Sequence, residues 1–184
     1  MKSRKIIAIL GLPGSGKSEV INYLIEKYGW PKVYFGDVTF DGLKKRKLEV
    51  NEKNERIVRE DIRKKFGFSY YPKQVIKKIA EIKNAEVVLV ESLYVWQEFL
   101  ILKNKFKDNL ATIAICAGPE IRYKRLGKRK KRPLSRKEAQ SRDYAQIENL
   151  FQGGPIAMAD YVIVNEGTKQ KLKKETDKII NKLK

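Results

Sequence analysis

The chain contains no histidine and one cysteine, Cys116. The absence of histidine excludes imidazole bases and removes the usual ligands of transition metals. A lone cysteine forms neither a disulfide nor a cysteine metal cluster within the chain. No apolar run approaches the roughly 20 residues that a membrane-spanning helix needs. We therefore expect a cytoplasmic protein that does not cross a membrane.

Acidic residues are scarce relative to basic ones. The 184 residues include 41 Lys plus Arg against 22 Asp plus Glu, a formal net charge of +19. Such an excess favours anionic partners and raises the rate of encounter with them. It does not distinguish a nucleotide-binding enzyme from a protein that binds nucleic acid. With 42% hydrophobic residues, the composition is that of one globular domain.

The most specific pattern in the chain is a P-loop, or Walker A, sequence. Its members are Gly11, Leu12, Pro13, Gly14, Ser15, Gly16, Lys17 and Ser18. An apolar run precedes it and a segment with helical spacing follows it, the context in which backbone N–H groups close around a polyphosphate. Lys17 is expected to reach the β- and γ-phosphates, and the Ser18 hydroxyl to bind Mg²⁺. The pattern predicts a nucleoside triphosphate site, with ATP and Mg²⁺ as cofactors.

Apolar strand-like runs alternate with amphipathic segments along the rest of the chain. Further strands are predicted at residues 33–35, 86–91, 112–117 and 161–164. Ser135 with Glu138 three residues later forms a capping-box pattern that predicts a helix start, and residues 153–155 (Gly-Gly-Pro) predict an interruption. The alternation predicts an α/β fold, an open parallel sheet with helices on both faces. Ligands are expected at the carboxyl ends of its strands.

Two acidic residues that follow predicted strands are candidate metal ligands. Glu91 follows a buried strand as a Walker B acid would, and Asp37 follows the second strand beside a glycine. Each has an alternative as an ordinary carboxylate at a strand end or in a turn. If the acceptor is a hydroxyl, Asp37 would orient it or accept its proton. If the acceptor is a phosphate, Asp37 would mainly order magnesium or water.

Arginines suit phosphate oxygens because the guanidinium group forms bidentate hydrogen bonds. Arg122 and Arg125 lie within one helical turn of each other and can face one ligand. The basic run at residues 128–132 predicts a loop that would close over reacting phosphates, although its lysines are expected to be solvated. Arg142 with Asp143 is either a phosphate contact or a surface pair. Four further arginines are candidates to line an acceptor pocket, of which we expect at most two to do so and the others to be solvated: Arg46, Arg56, Arg59 and Arg63.

Four segments, in order, resemble the nucleoside monophosphate kinase group of P-loop proteins. The resemblance is closer to archaeal proteins described as dephospho-CoA kinase-related or adenylate kinase-related. The segments are residues 11–18, 36–38, 119–126 and 159–167. The resemblance implies a three-layer P-loop fold with a five-stranded parallel sheet, in one kinase domain over residues 1–184. It also implies a helical acceptor-binding insert at about 38–84 and an arginine-bearing lid at about 126–140.

The resemblance also implies roles for individual residues. Lys17, Asp37, Arg122 and Arg125 would be catalytic, and the two arginines would approach the ATP. Asp37 matches the acceptor-side aspartate after the second strand. Asn165 and Gly167 would border the adenine, with a simple turn at the strand end as the alternative for Asn165.

The chain departs from this group after the third predicted strand. Relatives commonly have Asp-Gly-x-Arg there, whereas this chain has Glu91-Ser92-Leu93-Tyr94, which removes an arginine and a glycine from the acceptor side. The leading hypothesis is a kinase that transfers the γ-phosphoryl group of ATP to a nucleotide or nucleotide-like acceptor, AMP or dephospho-CoA. The alternatives are a nucleotide-regulated RNA-binding or RNA-processing protein and an ATPase switch. The lack of an aromatic-rich RNA-binding motif disfavours the RNA hypothesis.

Overall fold

Five parallel strands form the centre of the molecule in the computed structural model, which describes residues 4–130 and 133–183. The strands are β1 (Lys5–Leu10), β2 (Lys32–Tyr34), β3 (Val87–Glu91), β4 (Leu110–Cys116) and β5 (Tyr161–Val164). Their order across the sheet is β2-β3-β1-β4-β5, and every neighbouring pair is parallel. The predicted open parallel α/β sheet is therefore confirmed.

Helices connect the strands and cover both faces of the sheet. In chain order they are α1 (Lys17–Tyr28), α2 (Gly36–Lys45), α3 (Glu52–Phe66), α4 (Tyr70–Glu81), α5 (Trp96–Phe106), α6 (Pro119–Gly127), α7 (Arg136–Leu150), α8 (Gly153–Ala157) and α9 (Lys169–Leu183). Among the residues described, no helix is both long enough and apolar enough to span a bilayer.

The core consists of two apolar layers, one on each side of the sheet. Successive side chains of β1 point to opposite faces: Ile7 and Ile9 pack with α1 and α9, whereas Ile6, Ala8 and Leu10 pack with helices α2 to α5. All five of these side chains are at most 1% exposed. A central parallel strand is covered on both faces, which explains why its sequence is a continuous apolar run.

Local sequence signals explain where the later helices begin. Ser135 accepts a hydrogen bond from the backbone N–H of Glu138 and the Glu138 side chain binds back, so the predicted capping box is present at the start of α7. The predicted interruption after α7 is also present, but its Gly-Gly-Pro residues form the short α8. Pro155 is tolerated there because the first N–H groups of a helix have no intrahelical partner.

The two segments that the resemblance distinguishes lie at the carboxyl edge of the sheet or beside it. Residues 38–84 contain most of α2 together with α3 and α4, between β2 and β3. Residues 126–140 span the end of α6, a connecting segment and the start of α7. Lys131 and Arg132, which belong to the predicted basic loop, lie outside the described residues. The roles of these segments as acceptor-binding insert and lid remain predictions.

Candidate functional site

The P-loop joins the end of β1 to the start of α1 and is tightly enclosed. Gly14 and Gly16 have φ angles of 79° and 107°, a left-handed conformation that glycine adopts readily. A Cβ atom at Gly14 would lie 2.6 Å from the carbonyl oxygen of Arg122, and one at Gly16 would collide with the amide of Asn165. Glycine is therefore required at both positions for backbone conformation and for close packing.

Five successive carbonyl oxygens of the P-loop each accept a hydrogen bond from a side chain. Gln152 Nε2 donates to Gly11 (2.9 Å), Lys17 Nζ to Leu12 (3.1 Å), Arg122 Nη1 to Pro13 (3.1 Å), Arg125 Nη1 to Gly14 (3.5 Å) and Asn165 Nδ2 to Ser15 (2.7 Å). The C=O and N–H groups of a trans peptide point in opposite directions. Holding the carbonyls therefore fixes the direction of the loop amides, which are the groups that bind phosphate in such loops.

Arg122 is buried beneath this loop, with only 3% of its surface exposed. Besides its bond to Pro13, it donates to the Ala117 carbonyl (3.0 Å) and forms a bidentate pair with Asp143 at 2.9 and 2.6 Å. Asp143 also accepts a hydrogen bond from the Tyr123 hydroxyl (3.0 Å). Asp143 is thus part of a buried network and not of a surface pair. Arg122 supports the P-loop in this geometry, and its direct contact with ATP stays a prediction.

Asn165 and Gly167, the residues expected beside the adenine, occupy different environments. Asn165 directly follows β5 and is 7% exposed. Its backbone N–H donates a hydrogen bond to the Cys116 carbonyl, and its side-chain Nδ2 donates one to the Ser15 carbonyl. Gly167 is exposed in the turn between β5 and α9. The adenine contacts of both remain predictions, and the observed role of Asn165 is to hold the P-loop.

Several cations converge on the P-loop lysine. Burial lowers the pKa of the Lys17 ammonium to about 7, although the carboxylate of Glu91 acts in the opposite direction. Three guanidinium groups also contribute to this lowering: Arg129, Arg142 and Arg122. Burial and the charge of Arg142 lower the pKa of Arg129 as well. Cations gathered in this way are stabilised when an anion binds between them, so the electrostatics favour a polyphosphate.

Arg129 and Arg142 are part of this cluster, and both were candidates from the sequence, Arg129 in the basic loop expected over the phosphates and Arg142 as either a phosphate contact or half of a surface pair. Arg129 lies in the basic segment after α6, and Arg142 lies on α7. The sequence offered only weak signals, a basic run and a lone arginine–aspartate pair. Their approach to Lys17 depends on how α6 and α7 pack together, which local spacing does not reveal.

The side chains of Ser18 and Glu91, both candidate magnesium ligands, are in hydrogen-bond contact. Ser18 Oγ donates to Glu91 Oε1 at 3.3 Å, and Lys32 Nζ donates to Glu91 Oε2 at 2.8 Å. A hydroxyl and a carboxylate suit Mg²⁺, which also takes phosphate and water oxygens. Among the described residues, no group of three or more acidic or cysteine side chains forms a separate metal site.

Asp37 lies apart from that pair. It is in the first turn of α2, its side chain is 43% exposed, and Oδ2 is 3.8 Å from Lys78 Nζ on α4. No hydrogen bond or ion pair joins it to Ser18 or Glu91 in the part of the chain described. Its expected place at the acceptor side is compatible with this position, but its role as a metal ligand stays a prediction without a contact to support it.

Tyr94 occupies the acceptor-side position where related proteins commonly have an arginine. Its ring centroid lies 5.8 Å from Lys17 Nζ, and its hydroxyl is 2.8 Å from the Ser92 hydroxyl. Burial raises the pKa of Tyr94. Ser92 is 6% exposed and has a φ of 70°, a conformation that usually requires glycine. The segment after β3 thus places Tyr94, hydrogen-bonded to Ser92, beside the P-loop lysine.

Of the four arginines that are candidates for the acceptor pocket, Arg63 turns inward. It donates to Glu98 Oε1 at 3.2 Å and lies 5.0 Å from the centroid of the Tyr71 ring. Burial raises the pKa of Glu98 to about 7, although Arg63 acts in the opposite direction. Arg46 and Arg56 instead form exposed ion pairs with Asp61 and Glu60, and Arg59 lies close enough to influence the pKa of Tyr71.

The residues around the P-loop fit a nucleoside triphosphate. The Ser15 hydroxyl oxygen is buried and has no hydrogen-bond partner among the described residues, which is costly unless a ligand binds it. The loop amides, Lys17 and the cation cluster supply positive charge. Ser18 and Glu91 supply oxygen ligands for the accompanying magnesium ion.

Comparisons with known proteins agree with this geometry. The sequence profile of the AAA domain family matches residues 10–150 of the chain. A UPF0200 protein from Thermococcus kodakarensis is 32% identical over 186 residues, covering 97% of this chain and 100% of that relative. A UPF0200 protein from Sulfurisphaera tokodaii is 31% identical, and the match covers 97% of each.

Solved structures share the fold at lower sequence identity. Shikimate kinase from Aquifex aeolicus matches with a TM-score of 0.57 and 24% identity, over 96% of each chain. A gluconokinase from Sinorhizobium meliloti matches with a TM-score of 0.63 and 15% identity, over 100% of this chain and 95% of that one. At these identities the likeness shows the fold alone, which is that of P-loop kinases.

The cation cluster predicts that Arg129 contributes to ATP affinity. Replacement Arg129→Ala should weaken ATP binding by roughly tenfold or more, because a charge-assisted contact to phosphate is lost. Isothermal titration calorimetry with Mg²⁺ and ATP measures this. The matched control is Lys128→Ala, since Lys128 is the preceding residue and is exposed like Arg129 but is not among the cations that lower the pKa of Lys17, and its removal should leave the affinity within about twofold. Equal losses in both variants would mean that net charge, and not the position of Arg129, matters.

Buried Glu98 predicts a pH-dependent stability. Its folded-state pKa of about 7 exceeds the ordinary value of 4.5, so in that interval the folded state binds more protons than the unfolded state. The stability from this group is present below pH 4.5 and is lost as the pH rises through about 7. Urea unfolding at about pH 5 and about pH 8 should show a larger loss for the wild type than for Glu98→Gln. Parallel losses in the two proteins would contradict the assignment.

Proposed function

We propose that this chain, which belongs to the AAA domain family and to the UPF0200 family, is an ATP- and magnesium-dependent small-molecule kinase. It would transfer the γ-phosphoryl group to a nucleotide or nucleotide-like acceptor. The observation that carries the proposal is a P-loop in which five successive carbonyls, from Gly11 to Ser15, accept hydrogen bonds from side chains. The charges of Arg129 and Arg142, which help to lower the pKa of Lys17, support it. The P-loop kinase fold supports the same general activity.

On the donor side, the chain's own groups would bind and orient the triphosphate. The P-loop amides and Lys17 would hold the β- and γ-phosphates, and Arg129 with Arg142 would stabilise the charge that develops during transfer. Ser18 and Glu91 would hold the magnesium ion, which neutralises charge on the phosphate oxygens when it is bound. Phosphoryl transfer depends on such positioning and charge neutralisation more than on covalent chemistry.

On the acceptor side, α2, α3 and α4 would supply the binding surface. Asp37 is exposed enough to meet an incoming group, and Arg63 with Tyr71 lines the interior between these helices. AMP and dephospho-CoA are the acceptors that the sequence resemblance favours. A hydroxyl acceptor would give its proton to Asp37 as its oxygen bonds to the γ-phosphorus, while the bond from that phosphorus to the β,γ-bridging oxygen breaks and ADP leaves. A phosphate acceptor would require no base.

The experiment that tests the proposal is a screen with labelled ATP and Mg²⁺ against AMP, CMP, UMP, dephospho-CoA and RNA. We expect label to move to a small-molecule acceptor and to be absent with Lys17→Ala, provided that circular dichroism shows the variant to be folded. Release of phosphate without transfer to any acceptor would identify an ATPase instead. Retention of RNA that falls steeply as salt rises would favour the nucleic-acid alternative.

Asp37 provides a sharper prediction for a hydroxyl acceptor. Asp37→Asn should lower kcat by about 100-fold or more, because the general base is removed, while ATP affinity stays within about twofold. The matched control is Asp41→Asn, since Asp41 lies one turn later on α2 and also pairs with Lys78, at 3.2 Å. Parallel losses of ATP affinity and turnover in Asp37→Asn would contradict its acceptor-side role.

A further inference from the structure

Two supports of the P-loop come from α7 and the residues that directly follow it. The first is Asp143, which holds Arg122 in the orientation that reaches the Pro13 carbonyl. The second is Gln152, which donates directly to the Gly11 carbonyl. The two lie nine positions apart in the sequence (152 minus 143), so one stretch of chain supports two early peptides of the loop, directly through Gln152 and indirectly through the contact of Asp143 with Arg122.

The end of α7 is shaped so that Gln152 points at the P-loop. Phe151 has a φ of 52°, and the backbone N–H of Gln152 bonds back to the Gln146 carbonyl at 3.1 Å. Many helices end with one residue in the left-handed conformation, and glycine usually occupies that position. A phenylalanine there is strained, because in this conformation its Cβ atom crowds the following carbonyl oxygen. The strained turn sets the backbone direction at Gln152, whose side chain then reaches the Gly11 carbonyl.

Gln152 is also an expensive choice for a buried position. It is 0% exposed, and its Oε1 atom has no hydrogen-bond partner among the described residues. The amide is oriented by the Gly11 carbonyl, which can only accept a hydrogen bond, so the unpaired oxygen cannot be relieved by a flip that keeps this contact. Burial of an unpaired amide oxygen destabilises a protein. A role for the Nε2 donor at the P-loop accounts for a glutamine at this position.

We propose that Gln152 is a positioning residue for nucleotide binding. It fixes the first peptide of the P-loop, and the Asp143–Arg122 pair fixes the third, so that the N–H groups of these two peptides, those of Leu12 and Gly14, are held in a defined orientation toward the phosphate site. The same segment carries Arg142, one of the cations that converge on Lys17. The orientation of α7 and the shape of the P-loop are therefore coupled, and nucleotide binding stabilises both. This inference rests on the proposed nucleotide site.

The test compares two variants that each lose side-chain hydrogen bonds to backbone carbonyls, buried in the case of Gln152 and partly buried in the case of Arg4. Gln152→Leu keeps the approximate volume but removes the donor at the P-loop. Arg4→Met removes the donors to the carbonyls of Ile79, Ile82 and Ala85. Arg4 precedes β1, at the opposite end of that strand from the P-loop, so it controls for a general loss of stability.

We expect Gln152→Leu to weaken MgATP binding by about tenfold, the size of one lost hydrogen bond. Arg4→Met should lower the melting temperature but leave MgATP affinity within about twofold. Calorimetric titration and thermal unfolding measure the two quantities on the same preparations. In steady-state assays, the KM for ATP should rise in Gln152→Leu while the KM for the acceptor identified in the screen stays unchanged.

The outcomes separate this inference from the proposed function. Wild-type protein that binds no MgATP would overturn the proposed function. If a folded Gln152→Leu variant binds MgATP as tightly as the wild-type protein does, the positioning role alone is overturned. If Gln152→Leu is unfolded, Gln152→Met replaces it: the thioether side chain retains the approximate length but has no donor, and undiminished MgATP affinity in that variant would also overturn the inference.

Discussion

The backbone carbonyls of the P-loop are the constraint on which the site depends. In a loop whose backbone N–H groups point toward phosphate, the carbonyl groups point away from it into the protein. Buried carbonyls need hydrogen-bond donors there. In this chain the donors are side chains from four elements or their ends: α1, α6, β5 and the α7–α8 junction. The packing of these elements around β1 is therefore inseparable from the shape of the loop. Fold and site are stabilised by the same hydrogen bonds.

Local sequence patterns were sufficient to predict the central part of the fold. The apolar run of β1, the P-loop and the capping box at Ser135 each involve neighbouring residues, so their physical meaning is readable from spacing alone. The partners of Arg122 are not readable in this way, because Asp143 lies 21 positions away and Pro13 lies 109 positions away. The sequence suggested a phosphate-binding arginine, whereas the structure shows a buried one that serves the loop. Gln152 carried no signal, since its partner Gly11 is 141 positions distant.

The donor and acceptor sides of the site differ in their electrostatics. Around Lys17, cations accumulate until their mutual repulsion helps to lower its pKa. Between α2, α3 and α4, the inward arginine is matched by a buried carboxyl group, Glu98. The first arrangement gathers like charges, whereas the second pairs a guanidinium group with a carboxyl group whose pKa burial raises to about 7. The proposed triphosphate side of the site is therefore the better defined of the two, and the acceptor-side role of Asp37 stays a prediction.

The left-handed backbone at Ser92 carries an evolutionary consequence. A serine at such an angle is strained by about 1–2 kcal/mol, and its hydroxyl contact with Tyr94 offsets part of that cost. Positions 92 and 94 are therefore expected to co-vary among descendants of this lineage. A branch that exchanges the tyrosine for an arginine loses the reason to keep the serine, and glycine becomes the residue that selection would fix beside it.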